Sequence, residues 1–237
     1  MTVTIKACLF DMDGLLLDTE SKYTKVTNDV LADFKVGRTL TWDVKIKLQG
    51  RPGPEASAIL IKEYNLPVTP EELMEICFKK QEEEWPQSKF LPGALELINY
   101  LHSKKIPIAL GTSSHSLNFK KKTDHLQEGF KLFDGHIVTG DDSRIPPGRG
   151  KPHPDIWAAC LASINNDRQD KILPHECIVF EDGLPGVEAG KAFGAHLVWI
   201  PDENALKVLE GKENEIIGTN GVILKSLLDF KVKDYGL

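Results

Sequence analysis

Residues 5–10 read IKACLF and stop at Asp11, where the chain turns polar as DMDG at 11–14. A short apolar run carrying β-branched Ile5 and aromatic Phe10, and ended by a turn, is the pattern of a strand buried on both faces. The same construction recurs twice. IPIAL at 106–110 runs into Gly111-Thr112-Ser113-Ser114, and CIVF at 177–180 runs into Glu181-Asp182-Gly183. Further strands are predicted at 136–139 and at 196–200, HLVWI. Helical patterns separate them: one carrying Leu95, Ile98 and Leu101, one from about Ser116, one at 154–164 opened by Pro154, and one at 185–193. Strand and helix in alternation imply βαβ units, hence an α/β fold around a parallel sheet.

The first strand is set apart from this series by a helical block. Tyr23, Val26, Val30, Leu31 and Phe34 recur at three- and four-residue steps, a second helix spans roughly Pro54 to Tyr64, and a third opens at Thr69-Pro70. The economical reading is an insertion: residues 1–18 and 91–237 form the α/β core, and residues 19–90 form a separate helical cap.

Across 237 residues, 29 Lys and Arg face 35 Asp and Glu, a net charge of −6 that disfavours a nucleic-acid partner. The 41% hydrophobic content is enough to build a core. No apolar run approaches the roughly 18 residues of a bilayer span, and MTVT leads into the first strand without a signal-peptide pattern. The expectation is therefore a cytoplasmic protein, with the nucleus also open, no membrane association and no obligate protein partner. Cys8, Cys77, Cys160 and Cys177 lie far apart with no CxxC pair and are expected to be buried thiols.

In an open parallel sheet the reactive groups sit just beyond the carboxyl ends of the strands. Asp11, Asp13, Glu181 and Asp182 would then converge with the Thr112 hydroxyl. So many acids in one small volume oppose one another's ionisation and call for a cation. Carboxylates without His or Cys partners favour a hard ion, and Mg²⁺ suits a site that also binds phosphate. Lys151, ahead of Pro152 and the helix near Pro154, supplies a positive counterweight where an anion is also favoured. Taken singly, the acids read equally well as unrelated polar turns and Lys151 as a solvated loop lysine; only the set points to a site. Other signals fail: GRGKP at 148–152 lacks the first glycine and final hydroxyl of a phosphate-binding loop, and DMDG places its glycine too early for a calcium loop. His153 is expected at the surface, Lys120-Lys121-Lys122 and Glu82-Glu83-Glu84 on solvated helix faces, and the four tryptophans in packing.

Four stretches, DMDGLLLDTE at 11–20, GTSS at 111–114, GKPHPDIW at 150–157 and VFEDGLPGVEAG at 179–190, resemble in order the four motifs of the haloacid dehalogenase-like phosphotransferases. The likeness extends over nearly the whole chain and is strongest to the eukaryotic pseudouridine-5′-phosphatase-like group. It implies a Rossmann-like parallel-sheet core with an inserted helical cap of the C1 type. It also implies a Mg²⁺-dependent phosphomonoesterase acting on a small phosphorylated metabolite, either a nucleoside 5′-monophosphate such as pseudouridine 5′-phosphate or a sugar or polyol phosphate. By the same resemblance Asp11 is the nucleophile and Asp13 the general acid and base, with Thr112, Ser113 and Lys151 holding phosphoryl oxygens. Mg²⁺ would sit on the Asp11 carboxylate, the Asp13 main-chain carbonyl, Asp182 and Glu181, the last directly or through water. Arg51, in a loop where relatives carry specificity residues, either reaches substrate or is an exposed loop arginine. A phosphosugar mutase of the β-phosphoglucomutase type and a non-catalytic ligand-binding relative are the alternatives.

Overall fold

The structure is a computed structural model that describes residues 4–237; the leaderless start expected at Met1–Val3 lies outside the described residues. Six strands form one parallel sheet in the order β3-β2-β1-β4-β5-β6: β1 Ala7–Phe10, β2 Ile108–Gly111, β3 Ile137–Val138, β4 Cys177–Glu181, β5 His196–Trp199 and β6 Gly221–Ile223. Every residue of β1, β2 and β4 is buried, as a central strand covered on both faces requires.

Side chains alternate across the sheet. Cys8 and Phe10 face a core with Ile98, Leu110, Phe133 and Phe180, and Phe10 stacks on Phe180 with ring centroids 4.5 Å apart. Ala7 and Leu9 face the opposite core with Trp157, Val179, Val187 and Trp199. Helices α5 Ala94–Ser103, α6 Ser116–Thr123 and α7 Gln127–Phe130 follow on the β1-to-β3 side of the chain, and α8 Asp155–Asn165 and α9 Leu184–Phe193 cross to β4 and β5. Short helices α10 Glu203–Val208 and α11 Glu213–Ile217 complete the series. Gly194 ends α9 at φ 88°, a left-handed position that suits glycine.

Between β1 and α5 lie four helices, α1 Thr19–Asp33, α2 Trp42–Leu48, α3 Gly53–Tyr64 and α4 Pro70–Glu84. They carry a core of their own, built on Val30, Leu31, Val44, Leu60, Tyr64, Leu66 and Leu73. The start of α4 is fixed locally: Glu72 N–H donates to Thr69 Oγ1 at 3.2 Å, and Thr69 N–H donates to the Glu72 carboxylate at 2.8 Å, with Pro70 in the first turn. The chain enters and leaves this block side by side, through a bridge between Leu17 and Phe90 and a bond from Asp18 N–H to Lys89 O at 3.0 Å.

Sequence reading missed α2, the short helices α10 and α11, and β6. WDVKIKL at 42–48 alternates apolar and polar residues like a strand, yet it coils so that Val44 and Leu48, four apart, face the helical core. β6 is a three-residue edge strand whose apolar run, Val222-Ile223-Leu224, is too short to stand out. Cys8, Cys160 and Cys177 are buried as expected, whereas Cys77 is only half-buried because its helix faces a cavity on that side. Among the described residues, no helix is long and apolar enough to cross a membrane.

Candidate active site

Parallel register brings the candidate residues together. Phe10 pairs with Leu110 on one side and with Phe180 on the other, so β1, β2 and β4 end almost level, at the point where the strand order reverses. Asp11 N–H donates to Phe180 O at 3.1 Å, which carries the register one residue past the strand. Asp11, Glu181 and Asp182 are all buried, and each offers a carboxylate oxygen within 4.8 Å of the others.

Lys151 reaches this group from the loop before α8. Its side chain is fully buried, and Nζ donates to Asp11 Oδ1 at 2.5 Å and to Gly111 O at 3.0 Å. Glu181 Oε1 lies 2.6 Å from the same ammonium, but no donor is aimed at it. Trp157, assigned to packing, also walls this site, its ring centroid 4.7 Å from Nζ. One cation against three carboxylates leaves negative charge in excess. Burial, partly countered by Lys151 and reinforced by Asp11, pushes the Glu181 carboxyl up to about 8. Burial and the charges of Asp11, Glu20 and Glu181 push Asp182 well above the usual carboxylate range, and burial also raises Asp11 against the pull of Lys151.

The backbone leaves room for these groups. A Cβ on Gly186 would lie 1.8 Å from Glu181 Oε1, and one on Gly14, at φ 84°, would lie 2.2 Å from Asp182 Oδ2. Three converging oxygen donors without His or Cys, more carboxylate charge than the Lys151 ammonium balances and a glycine-made space fit a hard divalent cation. Asp11, Glu181 and Asp182 would hold it.

Asp13 sits apart from that cluster in a different environment. Its Oδ1 accepts from Thr19 Oγ1 and from Lys122 Nζ, each at 2.6 Å, and its Oδ2 accepts from Ser114 Oγ at 2.7 Å and, more weakly, from Thr112 Oγ1 at 3.4 Å. Burial alone would raise this carboxyl, but the Lys122 ammonium and the hydroxyl donors outweigh it and hold the group below its ordinary value. The Thr112 hydroxyl is wholly buried and also accepts from Ser114 N–H at 3.1 Å.

The expectation that Lys120, Lys121 and Lys122 share a solvated face is wrong for the last of them. Lys122 is completely buried, whereas the Lys120 side chain is 67% exposed. Helical phase is the signal that was passed over: Lys122 follows Phe119 by three residues and so lies on the inward side of α6. Glu82 and Glu83 are exposed as expected, Glu82 pairing with Lys121 at 2.5 Å, whereas the Glu84 side chain is only 13% exposed and pairs with Lys25. His153 is exposed, as expected.

A cavity of about 510 Å³ opens over Asp11 and Asp13. Residues of the 19–90 block line it, both apolar (Leu40, Leu48, Leu60, Met74 and Phe78) and polar (Glu20, Thr24, Lys45 and Gln81). The loop 49–52 closes down on the acidic cluster. Gln49 Nε2 donates to Asp182 Oδ2 at 3.2 Å, and Ser113 Oγ donates to Gly50 O at 2.9 Å. Arg51 lines the same cavity, with its guanidinium turned to Lys47 O at 2.8 Å and Glu55 at 3.2 Å. Ser114, Thr19 and Lys122 therefore join the site without having been expected there, and Gln49, expected with Gly50 and Arg51 in a stretch where relatives carry specificity residues, reaches Asp182.

Comparison with known proteins agrees with this architecture. The sequence model of haloacid dehalogenase-like hydrolases matches residues 5–194. A probable pseudouridine-5′-phosphatase of Saccharomyces cerevisiae is 54% identical over 99% of this chain and 98% of its own length. (DL)-glycerol-3-phosphatase 2 of Arabidopsis thaliana is 34% identical over 99% and 92%. A crystal structure of a hydrolase of this kind from Deinococcus radiodurans, with bound phosphate and sodium, superposes with a TM-score of 0.69 over 96% of this chain and 93% of that one, at 25% identity.

Proposed function

The chain belongs to the haloacid dehalogenase-like hydrolase family and is a phosphatase of it, and from that premise we propose a Mg²⁺-dependent phosphomonoesterase that passes the phosphoryl group of a small metabolite through Asp11 to water. The observation that carries the reading is the meeting of Asp11, Glu181 and Asp182 within 4.8 Å beside a fully buried Lys151. Those three carboxylates and the Asp13 main-chain carbonyl would hold Mg²⁺, which when bound would supply positive charge to the transferring group.

The carboxylate oxygen of Asp11 attacks phosphorus while the ester P–O bond breaks, which leaves the phosphoryl group on Asp11. Asp13 gives its proton to the departing oxygen, because an alkoxide is too basic to leave unaided. The negative charge of an arriving phosphate raises the proton affinity of Asp13 above its resting value. Asp13 then takes a proton from water as that water attacks phosphorus and frees Asp11. Lys151 fixes the attacking carboxylate and balances charge as it moves, Ser113 borders the space the phosphoryl oxygens occupy, and the buried Thr112 hydroxyl braces Asp13 and the Ser114 N–H behind it.

Residues 19–90 act as the cap and residues 1–18 with 91–237 as the core, joined where Leu17 meets Phe90. The cap excludes water and contacts the leaving group. Its cavity of about 510 Å³ is lined by both apolar and polar side chains, which suits a nucleoside as well as a sugar or polyol. The yeast relative's name favours pseudouridine 5′-phosphate and the plant relative's favours glycerol 3-phosphate. Four unpaired thiols suit the reducing cytoplasm.

The test is a panel of nucleotides, sugar phosphates and polyol phosphates assayed for phosphate release with magnesium and with chelator. Magnesium-dependent release is expected, with the ranking of kcat/KM naming the substrate. Phosphate retained on an isomeric sugar, with none released, would establish a mutase instead.

A further inference from the structure

Lys122 is a charged side chain with no contact with solvent, and the reaction just described does not use it. A buried ammonium is costly unless each of its donors is met. Here all three are: Nζ donates to Asp13 Oδ1 at 2.6 Å, to the Tyr23 hydroxyl at 2.7 Å and to Ser114 Oγ at 2.9 Å. The faces of Trp85 and Tyr23, with centroids 4.4 and 4.6 Å away, enclose the rest of the charge.

The arrangement is a brace around one carboxylate. Ser114 Oγ accepts from Lys122 and donates to Asp13 Oδ2, so lysine and serine grip the two oxygens of Asp13 from α6 and from the loop after β2. Thr19, at the start of α1, holds Oδ1 from a third direction. With donors from three segments, the carboxylate plane is fixed. Two of the groups around Lys122, Tyr23 and Trp85, belong to the helical block of residues 19–90, while Lys122 itself comes from the core.

We propose that Lys122 is a positioning residue for the reaction: it holds the Asp13 carboxyl in the orientation from which a proton reaches the leaving oxygen. The inference rests on the role given to Asp13 above. In the first half-reaction the Asp11–phosphorus bond forms, the bond from phosphorus to the leaving oxygen breaks, and that oxygen takes the Asp13 proton. An alkyl leaving group needs this proton; a 4-nitrophenyl group, stable as an anion, departs without it. A lysine that only supports the fold lowers both reactions together, whereas a lysine that aims the proton donor lowers the alkyl reaction alone.

The experiment compares 4-nitrophenyl phosphate with whichever of pseudouridine 5′-phosphate and glycerol 3-phosphate the wild-type protein turns over faster, in Lys122→Met and Tyr23→Phe. Misplacing a general acid by about 1 Å costs on the order of 100-fold. In Lys122→Met, kcat/KM for the alkyl ester should therefore fall by about 100-fold and that for the aryl ester by less than about 10-fold, with KM for the alkyl ester within about twofold of wild type. Tyr23→Phe removes one hydroxyl from the brace and should shift the ratio the same way, by roughly threefold to tenfold. Equal losses on both esters, or an unchanged ratio, overturn the proposal. Should Lys122→Met fail to fold, the ratio in Tyr23→Phe decides. A wild-type protein inactive on every ester with magnesium overturns instead the phosphatase reading on which the proposal stands.

Discussion

The acidic cluster ties folding stability to pH and to magnesium with a definite sign. In the unfolded chain Glu181 loses its proton near 4.5; in the folded, metal-free protein burial keeps the proton on up to about 8. Between those values the folded state binds more protons than the unfolded one, so stability falls as pH rises. Asp182 and Asp11 are raised as well and act in the same direction, while Asp13, lowered by Lys122, acts only on the acid side of the window. A carboxyl displaced this far alters stability by on the order of 3–5 kcal/mol across the window. For a chain of this size that corresponds to a fall in Tm of roughly 6–20 °C between about pH 5 and about pH 8.5. Magnesium displaces those protons, so its stabilisation should be small near pH 5 and large near pH 8.5. The assay is thermal unfolding followed by circular dichroism across that range, in chelator and in magnesium. A metal-free Tm that stays flat or climbs with pH, or a magnesium effect of equal size at both ends, would refute the reasoning.

Lys151→Met strips from Asp11 and Glu181 the ammonium that pairs with both, and leaving such partners buried without their counterion costs about 3–5 kcal/mol; denaturant unfolding of the metal-free variant at alkaline pH should show that loss, together with a collapse of turnover. Gly186→Ala puts a Cβ 1.8 Å from Glu181 Oε1. Displacing that carboxylate should weaken magnesium binding by roughly 10–100-fold, as read by calorimetric titration, while far-ultraviolet circular dichroism stays unchanged. Asp13→Asn keeps the shape of the side chain but carries no proton to give, so hydrolysis of an alkyl phosphate should drop by about 10²–10⁴-fold, measured as kcat/KM.

Much of the fold is legible in the sequence because the central strands are short apolar runs ended by polar turns. IKACLF, IPIAL and CIVF each stop within a residue or two of the observed strand ends, and the parallel register then makes their polar successors neighbours. Asp11, Glu181 and Asp182 are thus foreseeable as a group from strand ends alone. Lys122 is not, although Asp13 is its partner, because the two lie 109 positions apart and the adjacent Lys120 and Lys121 give the run the look of a solvated face. The contact of Gln49 is hidden for a similar reason: its amide meets Asp182 only because the loop after α2 folds down over the sheet. The helix at WDVKIKL goes unread because its residues alternate apolar and polar; packing against Tyr64 and Leu60 selects the helix there.

The central claim is that phosphate passes through a covalent bond to Asp11. Acid quenching during turnover, borohydride reduction and peptide mass spectrometry test it directly, because an acyl phosphate on aspartate is reduced to homoserine. The account predicts homoserine at position 11 in wild-type protein given substrate and magnesium, and none in Asp11→Asn, which should remain folded and inactive. Homoserine at another position, or sustained phosphate release by Asp11→Asn, would contradict it.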